Sequence, residues 1–282
     1  MPRSRRTFLR TGATALAALA APACAAAPTF RPVSLPSGGR AWHGRFLMRD
    51  VELAHVLRPA TGTTAAPPGL YVPGSVSPAF ARLDREAVLA DFRRRRGRRA
   101  LALINASFFE RYEEATELTF PVKAAGRLVT GGSSRWGPCA APADPRWAGV
   151  KLRALVWDAE RCAIHDHDPA SHASLGLADG LVSYAWRDHP AAVLLNDPVD
   201  RHQMLAVAAS RPGGPTDTLH VLTVAQGRMS EGAAHLTRSG AQGPVLTLDG
   251  GPSAHLWAAG QGALVAARTR RLPHFLTILA RG

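Results

Sequence analysis

An α+β fold is predicted for this chain of 282 residues: a mixed, largely antiparallel β-sheet core with a few flanking helices, in a single domain. Three observations predict it. Many short stretches read as strands, the first pair at 41–57 with partial apolar–polar alternation. Two stretches carry apolar residues at helical spacing instead. No internal repeat or second boundary interrupts the chain, and its length suits one domain with a substantial core.

The first residues precede the fold. Ser4-Arg5-Arg6-Thr7-Phe8-Leu9-Arg10 has the form of a twin-arginine export signal, followed by an apolar stretch at 13–21 and small residues around Ala23-Cys24-Ala25-Ala26-Ala27. The apolar stretch is too short to span a bilayer. Residues 1–27 therefore read as a leader, and a periplasmic or secreted protein exported in the folded state is expected. Cys24 is a lipidation alternative, although Ala21 and Pro22 make a poor context for it. Residues 28–40, rich in Pro, Ala, Ser and Gly, read as a flexible linker, and the folded domain is expected over 41–282.

Within the domain, 41–57 reads as a strand pair and 59–78 as a loop with many breakers. Ser77 as cap and Pro78 at the first position start a helix. Phe80, Leu83, Ala87, Val88 and Phe92 follow at helical spacing, so an amphipathic helix is expected over 78–96. The arginine run at 93–99 closes it, where cations complement the helix dipole. Residues 100–105 form a short apolar strand ending in Asn105-Ala106-Ser107-Phe108-Phe109-Glu110. Strands are expected at 122–123, 127–130, 151–157, 163–165, 192–195, 203–209 and 219–225. A second helix at 229–239, with Ser230 as candidate cap, ends at Gly240. Strands at 245–248 and 275–280 complete the reading, with long loops at 131–149, 166–180 and 211–216.

The strand at 245–248 holds the most informative feature. Val245-Leu246-Thr247-Leu248 is a continuous apolar run that stops at Asp249, with Gly250 and Gly251 next. That places a carboxylate on a rigid support, beside glycines that let a ligand approach the backbone. An ordinary Asp-Gly turn fits the same residues. Ser253 with Asp249 and His255 suggests a hydrolase triad, but the spacing lacks the Gly-x-Ser-x-Gly elbow. His165 and His167 would share one strand face and could hold a divalent metal, yet no third ligand can be placed. No cofactor is expected. Cys139 and Cys162 remain after leader removal and permit one disulfide in an oxidising compartment, or two separate buried thiols.

The formal charge is +13, and the leader accounts for only part of it, so anionic partners are favoured. Nucleic acid is excluded as a partner by the lack of any binding motif and by the compartment. A carbohydrate or sugar-phosphate substrate and association with an anionic cell envelope fit the charge better.

At Asn105-Ala106-Ser107-Phe108-Phe109 and at Leu248-Asp249-Gly250-Gly251-Pro252-Ser253 the chain resembles the phosphodiester glycosidase family. Arg201, opening Arg-His-Gln-Met-Leu-Ala-Val, stands where that family carries an Arg-Thr-Ala-Ile-Gly segment, and Arg271-Leu272-Pro273-His274-Phe275-Leu276 looks like its last strand. Ala106-Ser107 replaces the family's Gly-Gly, and Ala254 replaces its second Ser. The resemblance implies hydrolysis of a sugar linked to a phosphodiester. Such a reaction needs neutralisation of the phosphate, stabilisation of a cationic sugar and a positioned water. Asp249 is then the candidate base or electrostatic stabiliser, Arg201 the phosphate cation, and Asn105 the residue orienting substrate or Asp249. Gly250, Gly251, Ser253, His255, Ser107 and Glu110 are candidate substrate contacts. A non-catalytic glycan-binding protein on the same scaffold is the alternative reading, motivated by the lost Gly-Gly.

Overall fold

In the computed structural model, the described residues are 29–60, 79–96, 100–109, 115–133, 150–168, 174–266 and 270–281. The expected leader, Glu110 and Cys139 lie outside them. The described residues form two large antiparallel sheets packed face to face. This β-sandwich overturns the α+β expectation. Every strand pairing among the described residues is antiparallel, so the sheets are not mixed.

The larger sheet contains β1 (Phe30–Ser34), β2 (Arg40–Leu47), β7 (Pro121–Ala124), β8 (Arg127–Gly131), β9 (Leu152–Trp157), β10 (Cys162–Asp166), β11 (Asp179–Ala185), β12 (Asp200–Ala209), β13 (Thr216–Gly227) and β14 (Gln242–Leu248). Its main path runs β1-β2-β13-β12-β14-β11-β7-β8, with β9 joining β11 to β10. The smaller sheet combines β3 (Val51–Leu57), β5 (Ala100–Asn105), β15 (Leu256–Ala258), β16 (Gly262–Val265) and β17 (His274–Ala280) in the order β16-β15-β5-β17-β3. A two-stranded ribbon pairs β4 (Phe80–Ala81) with β6 (Ala115–Thr116).

The main core lies between the sheets. Phe30, Phe46, Leu155, Trp157, Leu205, Val221 and Leu246 of the larger sheet meet Leu53, Ile104, Leu256, Leu276 and Ile278 of the smaller one. Two polar links tie the layers together. Trp157 Nε1 donates to the Leu53 carbonyl at 2.8 Å, burying the indole with its donor satisfied. Gln261 accepts from Phe30 N at 2.9 Å and donates to the Phe30 carbonyl at 2.8 Å, pinning the edge strand β1.

The elements differ from the sequence reading in specific ways. The expected strand pair at 41–57 forms two strands, but β2 pairs with β1 and β13 while β3 pairs with β17. A one-turn helix at Met48–Asp50 carries the chain from one sheet to the other. The stretch expected as a linker contains β1. Helix α1 spans Arg85–Arg96 and starts later than expected. Phe80 and Leu83 pair as strand and bridge instead, and Asp84 Oδ1 caps the helix by accepting from Glu86 N at 2.8 Å and Ala87 N at 3.3 Å.

The segment at 192–195 is not a strand. It belongs to the short helix α2 (Pro190–Leu194), opened by Pro190 and by His189, whose ring accepts from Ala191 N. Val193, Leu194 and Leu195 are exposed there. Helix α3 (Met229–Arg238) is capped from a distance: Asp197 accepts from Met229 N at 2.8 Å and Ser230 N at 3.0 Å. Ser230 is therefore a recipient of the cap and not its source.

Cys162 is a buried free thiol, and burial pushes its pKa up to about 12. His165 is exposed, whereas His167 is buried with Nδ1 2.6 Å from Ser174 Oγ. Among the described residues no group of three or more His, Cys, Asp or Glu side chains could hold a metal ion.

Candidate active site

The site forms where β5 and β14 end side by side. Asp249 N donates to the Ala106 carbonyl at 3.0 Å, so the two chain segments meet through their backbones as they leave their strands. Asn105 locks this junction. It is buried; its Nδ2 donates to the Asp249 carbonyl and its Oδ1 accepts from His255 N at 2.8 Å. Asn105 thus spans the base of the 249–255 loop with both ends of one amide. Its bonds go to main chain, which makes it a positioning residue for Asp249 and not a ligand of the Asp249 carboxylate. Asn105→Asp, which cannot donate to the carbonyl when ionised, is expected to destabilise the fold by roughly 2–4 kcal/mol, and denaturant unfolding measures it.

Asp249 itself is half-buried. Burial pushes its carboxyl from 3.8 up to about 6, partly opposed by a hydrogen bond from Ser253, by the Arg270 charge and by the Gly250 backbone. Ser253 is buried beside it, and Arg270 Nη1 donates to Ser253 Oγ at 3.0 Å. A carboxylate, a hydroxyl and a guanidinium therefore form one connected chain. The Arg270 guanidinium also sits 5.7 Å from the centre of the Phe109 ring, which gives that cation a fixed seat.

The glycines have separate geometric reasons. A Cβ on Gly250 would lie 2.9 Å from the Arg201 carbonyl, so the loop passes β12 too closely for a side chain. Gly251 adopts φ +54°, and a Cβ there would lie 3.5 Å from Asp200 Oδ2. The Asp200 carboxylate thus lies beside Gly251.

The other sequence candidates are placed as follows. Arg201 adjoins the loop through its main chain, but its guanidinium donates to the Ala266 carbonyl at 3.2 Å. Arg270, not Arg201, is the cation coupled to Asp249. His255 is buried, its ring edge-on to Phe275, and desolvation lowers its pKa to about 4. Ser107 is buried and turned toward His274. Phe108 packs among Phe120, Tyr184 and His189. Ala106 and Ser107 are absent from the residues with left-handed backbone, so the substitution for Gly-Gly carries no strain of that kind.

Arg270 and Asp200 escaped the sequence reading. Arg270 is distant from Asp249 in the chain and sits among several arginines, so no spacing singles it out. Its place just before the resembling last strand was the one available signal.

No protein-family model matches the chain, and no curated protein matches it. Solved structures do. The catalytic domain of zebrafish N-acetylglucosamine-1-phosphodiester alpha-N-acetylglucosaminidase, auto-inhibited by its pro-peptide, matches over 89% of this chain and 82% of its own, at 11% identity and a TM-score of 0.52. A hypothetical protein from Synechocystis matches over 89% of this chain at 16% identity and a TM-score of 0.44. This chain spans 61% of the length of that protein. A presumed exported protein from Burkholderia pseudomallei K96243 matches over 87% of this chain and 76% of its own, at 11% identity and a TM-score of 0.48. The likeness to the zebrafish domain is a distant relationship of fold.

Proposed function

We propose that this chain is a hydrolase that releases a sugar from a phosphodiester, acting on an envelope or exported glycan after passage through the twin-arginine route. One observation carries the reading: a half-buried carboxylate with its pKa raised to about 6, linked through Ser253 to the Arg270 guanidinium. Among the described residues no helix is long and apolar enough to cross a membrane.

The roles follow from the reaction's demands. The group that leaves, a phosphate monoester, departs as an anion and needs little protonation, so its main requirement is a cation. Arg270 supplies a planar donor fork next to the carboxylate, and it takes the role first assigned to Arg201. Ionised Asp249 either activates water or stabilises positive charge on the sugar ring.

Ala106 and Ser107 are both buried and neither has left-handed backbone, so the replacement of Gly-Gly does not by itself argue for binding alone. The test is a screen of the purified protein against sugar-1-phosphodiesters, cell-wall glycans and aryl glycosides. The expected result is sugar release from a phosphodiester at least ~10-fold faster than from an aryl glycoside, because only the former uses Arg270. Binding of anionic glycan with no product from any class would leave the non-catalytic alternative standing.

A further inference from the structure

We propose that a cavity at the start of β14 is a second binding site, for a glycan residue carrying a single negative charge, such as a uronate. The cavity measures about 490 Å³, within the ~300–1,000 Å³ typical of small-ligand sites. Its walls come from β9, from the one-turn helix Trp186–Asp188, from α3 and from the first residues of β14. Val245 lines it, and Asp249 follows four residues later along the same strand direction. At roughly 3.3 Å per strand residue the cavity lies about 13 Å from the candidate active site, so the two sites are separate.

The charges lining the cavity set the charge of the ligand. Lys151, Arg153 and Arg187 bring three cations to it, and Asp188 brings one carboxylate. Arg153 Nη1 is also paired with Asp166 at 2.9 Å. Three cations against Asp166 and Asp188 leave one positive charge in excess, which matches a monoanion. Arg153 is held in place, with its side chain only 15% exposed. Its Nε is buried and has no hydrogen-bond partner among the described residues. A buried donor left unmade is costly, and an incoming carboxylate oxygen would remove that cost.

The remaining lining points to a sugar in preference to a bare anion. Trp186 is half-buried, and the Arg187 guanidinium lies 5.3 Å from its ring centre, so indole and cation form one wall. The electron-rich indole attracts the polarised C–H groups of a sugar ring, which an inorganic anion lacks. Thr237 Oγ1 donates to the Ala233 carbonyl at 3.0 Å, which leaves its lone pairs to accept from a sugar hydroxyl. Asp188 offers a carboxylate acceptor for another. A cation pair, an aromatic wall and two hydroxyl acceptors around one cavity are what an acidic sugar needs and a simple ion does not use.

Isothermal titration calorimetry of the intact protein with polygalacturonate and with neutral dextran tests this. Binding of polygalacturonate and none of dextran is expected, weakened at least ~10-fold by Lys151→Glu and by Arg187→Glu. Trp186→Ala is expected to weaken it at least ~3-fold. Arg31→Glu makes the same charge change at an exposed position on β1, four strands from β14, and is expected to cost less than ~3-fold. Lys151 and Arg187 are exposed, so their variants should fold, and thermal melting verifies each protein. Should Trp186→Ala not fold, inorganic polyphosphate bound as tightly as polygalacturonate would overturn the sugar assignment in its place. No binding of polygalacturonate, equal weakening by Arg31→Glu, or unchanged binding in a folded Trp186→Ala would each overturn the proposal. The readout does not involve sugar-phosphodiester turnover, so either reading can fail without the other.

Discussion

Asp249→Asn is expected to abolish sugar-phosphodiester turnover, by ~10³-fold or more, while making the folded protein more stable at neutral pH. Both effects have one cause. Burial raises the Asp249 carboxyl from 3.8 to about 6, so the fold disfavours the charged form that the reaction uses. A folded-state pKa raised above the unfolded value means that the native state holds its proton longer. Between about pH 4 and pH 6 the unfolded chain has ionised and the folded site has not. Stability therefore falls as pH rises through that window and is level above it. A tenfold change in proton affinity is worth about 1.4 kcal/mol, so removing the charge returns roughly 1–3 kcal/mol at pH 7–8. The wild-type rate moves oppositely, rising with pH through about 6 as the carboxylate forms. Urea unfolding at pH 4 and pH 8, beside initial rates over the same range, measures both. Equal pH slopes in wild type and Asp249→Asn would rule out a raised carboxyl at this position.

Arg270→Ala is the second large effect. The guanidinium lowers the Asp249 pKa, and under the proposed function it is the cation for the phosphate. Its loss is expected to reduce kcat/KM by ~10²–10³-fold and to move the acid limb of the rate profile to higher pH. Arg270→Lys should recover the pH profile better than the rate, because an ammonium restores charge but not the planar fork bonded to Ser253 and seated on Phe109. An unmoved acid limb in Arg270→Ala would show that this cation is not coupled to the carboxylate. Arg201→Ala provides the contrast: its guanidinium is bonded to the Ala266 carbonyl, and a smaller effect is expected.

The strands that carry the site were legible because their chemistry is local. Residues 100–105 and 245–248 are apolar runs bounded by polar residues, and each forms a strand ending at the position read for it. The fold class was misjudged because several strands lack such a signature. β1 contains Pro32 and mostly exposed residues, and its place comes from pairing with β2 and from Gln261. The β15–β16 hairpin is short and glycine-bounded. The apolar run at 192–195 misled in the other direction, since Pro190 and the His189 cap turn it into a helix that leaves three large apolar side chains exposed.

The site followed the same division. Asp249 and Asn105 stand out at the ends of apolar strands. The place of Arg270 in the site, and the buried hydrogen-bonded chain Ser107–His274–His55, exist only through strand order, because β5 lies between β15 and β17, and β17 lies between β5 and β3. That order brings Ser107, His274 and His55 together from three distant parts of the chain, and no residue spacing encodes it.

The most direct measurement is product release from one sugar-1-phosphodiester by wild-type protein and Asp249→Asn in parallel, each verified as folded by thermal melting. Free sugar and a phosphate monoester from the wild type, with a rate that climbs through about pH 6, and no product from a variant that melts at higher temperature, is the predicted outcome. Equal release by both proteins would contradict a reacting centre at Asp249.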